Sequence, residues 1–206
     1  EGLESFSWRM RMTCSVQFPA ALPSPITFSP GNRVPVATRA ELDPVARNVV
    51  KVGQSAPPLQ LSTRRGSTFD LQSHRGKTVI LCFWSTRGTL SIKALDILEE
   101  LFEAWGRNEE DVLIYGVDVR EGATSRTEAV EIADRFWSQN MLAIPTMVTV
   151  GDDVVRTWGI LSVPMTVLVG PDGTVKHVER GVGVRTKMNL ENQLKSVSVS
   201  RKGKGK

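Results

Sequence analysis

The chain has 206 residues, of which 40% are hydrophobic and 23% are charged, so length and composition favour one folded domain with extensions at its ends. The formal net charge of +4 comes from the two ends, because residues 1–40 carry +2, the last six residues carry +4, and residues 41–200 carry −2. This distribution argues against a nucleic-acid-binding face on the folded part. No run of about 20 apolar residues is present, so a membrane-spanning helix is not expected.

The N-terminal segment has an unusual composition. Residues 5–40 contain no acidic residue but carry four arginines, five serines and five prolines, which is typical of an organellar transit segment. This predicts a location in a mitochondrion or a plastid, with the bacterial periplasm as the alternative. The prolines also favour an extended arm. The predicted organisation is an arm over residues 1–51, a folded domain over residues 52–197 and a basic tail over residues 198–206.

The folded part begins with strands and continues as alternating strands and helices. Residues 78–84 form an uninterrupted apolar run, which favours a strand that is covered on both faces. Apolar residues at spacings of three and four then predict amphipathic helices, and Thr127 is the predicted N-cap of the second helix. This alternation predicts an α/β fold with a parallel sheet and right-handed crossovers. The predicted elements are strands at residues 59–62, 65–71, 78–84 and 112–119, and helices at residues 91–105 and 128–139.

A hairpin and a last helix complete the predicted elements. Asp172-Gly173 lies between two β-rich runs, which is a strong hairpin pattern. The final helix is predicted near residues 186–197. The histidines, His74 and His177, have no neighbours at metal-ligand spacing, so no metal site and no cofactor are expected.

Two stretches, residues 76–86 and residues 158–175, resemble the thioredoxin-like thiol-disulfide oxidoreductases, a family of membrane-tethered and periplasmic proteins related to the peroxiredoxins. The resemblance implies a thioredoxin-like three-layer sandwich over residues 52–197, in which helices flank a central mixed sheet. It also implies a cis peptide bond between Val163 and Pro164.

The same resemblance implies that the turn after residue 86 lacks the two cysteines that the family has there. Members of the family continue from the equivalent of Thr86 with Trp-Cys-x-x-Cys, and this chain has Gly88 at the position of the attacking thiol and Ser91 at the position of the resolving thiol. Thiol–disulfide exchange needs a thiolate and a second thiol. The sequence therefore predicts no catalytic residue and no enzymatic activity. Cys82 lies inside the apolar strand, where a cysteine behaves as a small hydrophobe.

A binding groove is the remaining expectation for this region. In the family the residues before the proline pair with a polypeptide, which implies a groove formed by Val163, Pro164 and Met165. Arg87, at the mouth of the following helix, is a candidate contact for an anion.

The sequence thus predicts a redox-inactive thioredoxin-like protein that serves as an accessory or structural subunit of a larger organellar assembly. One alternative is a peptide-binding module that uses the groove, and another is residual thiol oxidoreductase activity through Cys82. The predicted partners are other protein subunits. The basic tail can also contact rRNA phosphates or anionic lipid through Arg201, Lys202, Lys204 and Lys206.

Overall fold

The computed structural model describes residues 49–202. The predicted transit-like arm therefore lies almost entirely outside the described residues, as do Lys204 and Lys206 of the basic tail. Within the described part, the chain forms seven strands, four α-helices and one 3₁₀-helix. The strands are β1 Gln60–Ser62, β2 Thr68–Asp70, β3 Thr78–Trp84, β4 Val112–Asp118, β5 Thr146–Met147, β6 Met165–Val169 and β7 Val175–Arg180. The helices are the 3₁₀-helix Leu71–His74, α1 Ser91–Ala104, α2 Arg126–Gln139, α3 Asp153–Trp158 and α4 Thr186–Lys202.

Five of the strands form one mixed sheet, in the order β5-β4-β3-β6-β7. Strands β3, β4 and β5 are parallel, whereas β6 runs antiparallel to both β3 and β7. Strands β1 and β2 form a separate two-stranded sheet. The predicted thioredoxin-like α/β fold, with a central mixed sheet flanked by helices, is confirmed.

The central strand β3 is buried along its whole length because both faces of the sheet are covered. Val79, Leu81 and Phe83 pack into one apolar cluster, which also contains Trp158 of α3. Ile80, Cys82 and Trp84 alternate with them and pack into a second cluster with residues of α1 and α4. Alternation of side chains across a strand explains why an uninterrupted apolar sequence was needed here.

Helix α2 begins two residues earlier than the sequence predicted. Its N-cap is Ser125, whose hydroxyl accepts a hydrogen bond from the backbone N–H of Glu128 at 3.2 Å. The Glu128 carboxylate accepts in turn from the backbone N–H of Thr124 at 2.8 Å. The predicted N-cap at Thr127 is therefore wrong, and Ser125-Arg126-Thr127-Glu128 is the Ser-x-x-Glu pattern that marks the start.

Besides the 3₁₀-helix Leu71–His74, two short elements were not predicted. Strand β5 has only two residues and α3 only six, so neither produces a repeating pattern of apolar residues. Helix α4 continues to Lys202, five residues beyond the predicted end. In the described part of the chain, no helix combines the length and apolar character needed to cross a bilayer.

The topology gathers several connections at one edge of the sheet. The carboxyl ends of β3, β4, β5 and β7 lie there together with the beginning of β6, because β6 runs in the opposite direction. The turn between β3 and α1 and the segment before β6 are thus neighbours in space. In open α/β sheets, this edge is the usual place for a ligand site.

Candidate functional site

The turn between β3 and α1 comprises residues 85–90 and is held by its own backbone. The N–H of Gly88 donates to the carbonyl of Ser85 at 3.0 Å, and the N–H of Ser91 donates to the carbonyl of Gly88 at 2.9 Å. The N–H of Arg87 donates to the hydroxyl of Ser85 at 3.1 Å. These bonds form a compact turn that leads directly into the first residue of α1.

The two positions predicted to lack thiols lie against each other. A Cβ atom placed on Gly88 would be 2.4 Å from Oγ of Ser91 and 3.0 Å from Cγ2 of Val163. Ser91 is fully buried, and its hydroxyl accepts from the backbone N–H of Ser85 at 3.3 Å. The structure therefore brings together Gly88, Ser91 and Val163, and it leaves little space above the Gly88 backbone.

The segment before β6 presents its backbone to solvent. The bond between Val163 and Pro164 is cis, as the resemblance implies. Pro164 is buried, and its carbonyl accepts from the N–H of Gly181 at 2.8 Å. In contrast, the backbone N–H and C=O groups of Ser162 and Val163 have no hydrogen-bond partner among residues 49–202. This short stretch is an open edge next to the turn.

Apolar side chains are exposed in the turn and in the segment before β6. Leu90 is 40% exposed and Leu161 is 38% exposed, and Val163 is half-buried between the turn and the core. Met165, which was predicted to line the groove, is the first residue of β6 and is only 1% exposed, so its side chain belongs to the core. The exposed apolar surface is therefore formed by Leu90, Leu161 and Val163.

Two arginines form hydrogen bonds between the connections at this edge. Nη2 of Arg87 donates to the carbonyl of Glu121 at 3.0 Å. The neighbouring Arg120 donates through Nη1 to the carbonyl of Leu161 at 3.3 Å, and through Nη2 to the carbonyl of Ile160. The turn, the connection after β4 and the segment before β6 are thus linked to one another.

A buried carboxylate also anchors the turn. Glu121 is 8% exposed, and its Oε2 accepts from the hydroxyl of Thr86 at 2.6 Å while its Oε1 accepts from the backbone N–H of Thr86. Sequence reasoning missed this residue. Its signal was weak, because a glutamate in a loop is usually exposed.

Asp118, the last residue of β4, is the second buried acid of this region. It is 1% exposed, and neither of its carboxyl oxygens accepts a hydrogen bond from any described residue. Burial, followed by the negative charge of the nearby Glu121, raises the pKa of Asp118 to about 9. Asp118 is therefore protonated at neutral pH.

Cys82 lies in the middle of β3, away from the turn. It is fully buried, and burial raises the pKa of its thiol to about 12, although a hydrogen bond with Thr166 opposes this effect. The thiolate is the reactive form of cysteine. In this conformation Cys82 is thus a packed, protonated thiol.

The Cys82 thiol should react slowly with a water-soluble disulfide reagent. A Cys14→Ser variant leaves Cys82 as the single cysteine. At pH 7.5 we expect this variant to react about 1000-fold more slowly when native than in denaturant. The reasons are that the thiolate fraction falls tenfold for each unit by which the pKa rises, and that the side chain is inaccessible. Rapid stoichiometric reaction of the native variant would contradict this.

The described residues do not gather metal ligands. Within residues 49–202, no group of three or more histidine, cysteine, aspartate or glutamate side chains is placed to hold a metal ion.

The fold and the placement of this site define the class of the protein, a thioredoxin-like domain with its site at the β3–α1 turn and the segment before β6. Residues 52–178 match the model of the AhpC/TSA family, so the chain belongs to that family.

The similar proteins include bacterial thiol-disulfide oxidoreductases. The chain is 27% identical over 150 residues to the thiol-disulfide oxidoreductase ResA of Bacillus thuringiensis subsp. konkukian, which covers 72% of this chain and 80% of the relative. It is 28% identical over 151 residues to ResA of Geobacillus thermodenitrificans, which covers 73% and 80%.

Solved structures share the fold. A thiol:disulfide interchange protein of the thioredoxin family from Chlorobium tepidum superimposes with a TM-score of 0.57 at 19% identity, covering 72% of this chain and 97% of its own. A secreted disulfide oxidoreductase of Mycobacterium tuberculosis superimposes with a TM-score of 0.54 at 19% identity, covering 67% and 95%. These similarities support the fold.

Two expectations from the sequence are wrong. The absence of enzymatic activity was inferred from Gly88 and Ser91 alone, whereas the relatives that match along most of the chain are named as thiol-disulfide oxidoreductases. A mitochondrial or plastid location was inferred from the composition of residues 5–40, whereas the relatives come from bacteria and one solved neighbour is a secreted protein. The predicted role as a subunit of a larger assembly, and the contacts of the basic tail, stay predictions.

Proposed function

We propose that this domain binds extended polypeptide segments of client proteins at the open edge formed by Ser162 and Val163, within thiol–disulfide metabolism of a bacterial extracytoplasmic compartment. The observation that carries the proposal is the unpaired backbone of these two residues. Backbone N–H and C=O groups are obligatory hydrogen-bonding groups, and an extended chain satisfies them by adding a strand.

The surroundings of the edge suit such a ligand. The exposed side chains of Leu90 and Leu161, with Val163 between the turn and the core, provide apolar contacts for side chains of the bound segment. The turn lies close enough that a Cβ on Gly88 would touch Val163, so a bound segment would pass directly over the β3–α1 turn. Backbone pairing would supply affinity, and the apolar contacts would supply selectivity.

The proposal can be tested with a labelled peptide and matched surface variants. A soluble ten-residue peptide with a central Val-Leu-Val run is titrated with the full chain, and binding is followed by fluorescence anisotropy. Leu90→Ser and Leu161→Ser should each weaken binding about 10-fold, because burying an exposed leucine contributes about 1–2 kcal/mol.

The controls for this experiment are exposed apolar residues elsewhere on the domain. Met141 is 89% exposed and Val184 is fully exposed, so Met141→Ser and Val184→Ser remove comparable apolar groups without touching the edge. Both should bind as the wild type does. Equal losses in all four variants, or no binding by the wild type, would contradict the proposal.

A second candidate function is thiol–disulfide oxidoreductase activity, which the names of the relatives favour. Cys14 and Cys82 are the cysteines of the chain, and Cys82 is buried in β3. Attack on a client disulfide would therefore start from the Cys14 thiolate, form a mixed disulfide and release one client thiolate. Dithiothreitol, as the added reductant, would then attack the Cys14 sulfur and release the second client thiolate, and its other thiol would close the cyclic disulfide and release the Cys14 thiolate. Loss of disulfide-reducing activity in Cys14→Ser, but not in Cys82→Ser, would support this candidate, and unchanged activity in Cys14→Ser would exclude this route.

A further inference from the structure

We propose that the open edge selects client segments that carry acidic residues beside an apolar residue, with Arg87 and Arg120 binding the carboxylates. This inference rests on the proposed polypeptide-binding function and names its substrate class. It is carried by the positions of the two arginines, by the way their guanidinium groups are held, and by the absence of an ion-pair partner for either of them among residues 49–202.

The contacts place both arginines at the edge. Arg120 is bonded to the carbonyls of Ile160 and Leu161, the two residues immediately before the unpaired stretch. Arg87 directly precedes Gly88, whose added Cβ would touch Val163. A segment bound to Ser162 and Val163 would thus lie between a cation on the turn and a cation on the β4–α2 connection.

Both guanidinium groups are available for a ligand. Arg87 and Arg120 are exposed, and their hydrogen bonds go to backbone carbonyls rather than to carboxylates. Neither forms an ion pair with any acidic side chain of residues 49–202. Arginine has five donors, and these bonds use one donor of Arg87 and two of Arg120. The remaining N–H groups can donate hydrogen bonds to a carboxylate in a fixed geometry.

Arginines outnumber acidic residues in the connections of this edge. The Glu121 carboxylate is buried and accepts both of its hydrogen bonds from Thr86, whereas Asp152, at the start of α3, is exposed. Charges of like sign at the rim of a site steer oppositely charged ligands and exclude others. The charged residues in the connections 85–90, 119–124, 148–152, 159–164 and 181–185 are Arg87, Arg120, Glu121, Asp152 and Arg185.

The experiment compares three peptides with the same Val-Leu-Val centre and with two flanking residues that are Glu, Gln or Lys. At low ionic strength, the Glu peptide should bind the wild-type chain about 5- to 10-fold more tightly than the Gln peptide, and the Lys peptide should bind more weakly than either. At 0.5 M salt this preference should fall below about 2-fold, because exposed charges are screened.

Protein variants assign the preference to the two arginines. Arg87→Gln/Arg120→Gln should bind the Glu and Gln peptides equally, whereas Arg87→Lys/Arg120→Lys should keep a preference of the same sign. The control Lys51→Gln/Lys195→Gln removes two exposed positive charges outside the site and should keep the full preference. Loss of preference in this control would assign the effect to net charge and overturn the inference.

The failure of this inference can be told apart from the failure of the proposed function. Equal binding of all three peptides by the wild type, with the losses expected for Leu90→Ser and Leu161→Ser, would overturn the acidic preference and leave polypeptide binding intact. Absence of binding for all three peptides would overturn both.

Discussion

Replacing Asp118 by asparagine is expected to raise the free energy of unfolding at pH 7 by on the order of 2–4 kcal/mol. The pKa of Asp118 is 3.8 for an exposed group and about 9 in the folded domain. Between these values the folded state binds one proton more than the unfolded state, so stability falls as the pH rises from about 4 to about 9. The asparagine amide has nearly the shape of the protonated acid, but it does not titrate.

Urea denaturation of both proteins at pH 5, 7 and 8.5 measures this effect. The difference in unfolding free energy should widen with pH, by up to about 1.4 kcal/mol per unit. Asp96→Asn, which changes an exposed carboxylate on α1, provides the control and should show no such widening. A difference that stays constant from pH 5 to pH 8.5 would show that Asp118 titrates as an exposed acid.

The double substitution Gly88→Cys/Ser91→Cys is expected to raise the rate of protein-disulfide reduction by roughly 100-fold or more over the wild type. It places one thiol just before the N-terminus of α1 and a second thiol in contact with the first. A Cβ on Gly88 would lie 2.4 Å from Oγ of Ser91, so the side chain at position 91 has to rotate away from it, whereas the backbone at Gly88 does not have a positive φ and accepts a side chain without strain. The measurement is the reduction of insulin with dithiothreitol as the source of electrons.

The single variants separate the two roles. Gly88→Cys alone should form a mixed disulfide with the client but turn over slowly, since no second thiol releases it. Ser91→Cys alone should react slowly because Ser91 is fully buried. A folded double variant that reduces insulin no faster than the wild type would show that this turn does not place two thiols for exchange.

Much of the fold could be predicted from the sequence because its long elements have strong periodic patterns. The apolar run of β3 and the stripes of α1 and α2 follow from burial, which is a local property of the pattern. The short elements β5 and α3 are formed by tertiary contacts, such as the packing of Trp158 against Phe83, and no local sequence pattern predicts them.

For the candidate site, the sequence predicted which backbone segments lie there, but not the charged side chains around them. The turn and the residues before Pro164 were placed correctly by resemblance, and Gly88, Ser91 and Val163 do meet. The burial of Asp118 and the hydrogen bonds of Glu121 and Arg120 at this site could not be predicted, because each depends on which residues the folded chain places beside it. A sequence shows an acid at the end of a strand, but it does not show that its carboxyl is buried without a hydrogen-bond donor.

The arginine bonds to the carbonyls of Ile160 and Leu161 also limit how much of a client the edge can pair with. On one side of Ser162 and Val163 these carbonyls are occupied, and on the other side Pro164 lacks an N–H and its carbonyl is taken by Gly181. The pairing window is therefore two residues long. If the domain binds polypeptides as proposed, so short a window would favour an extended backbone over any long sequence motif.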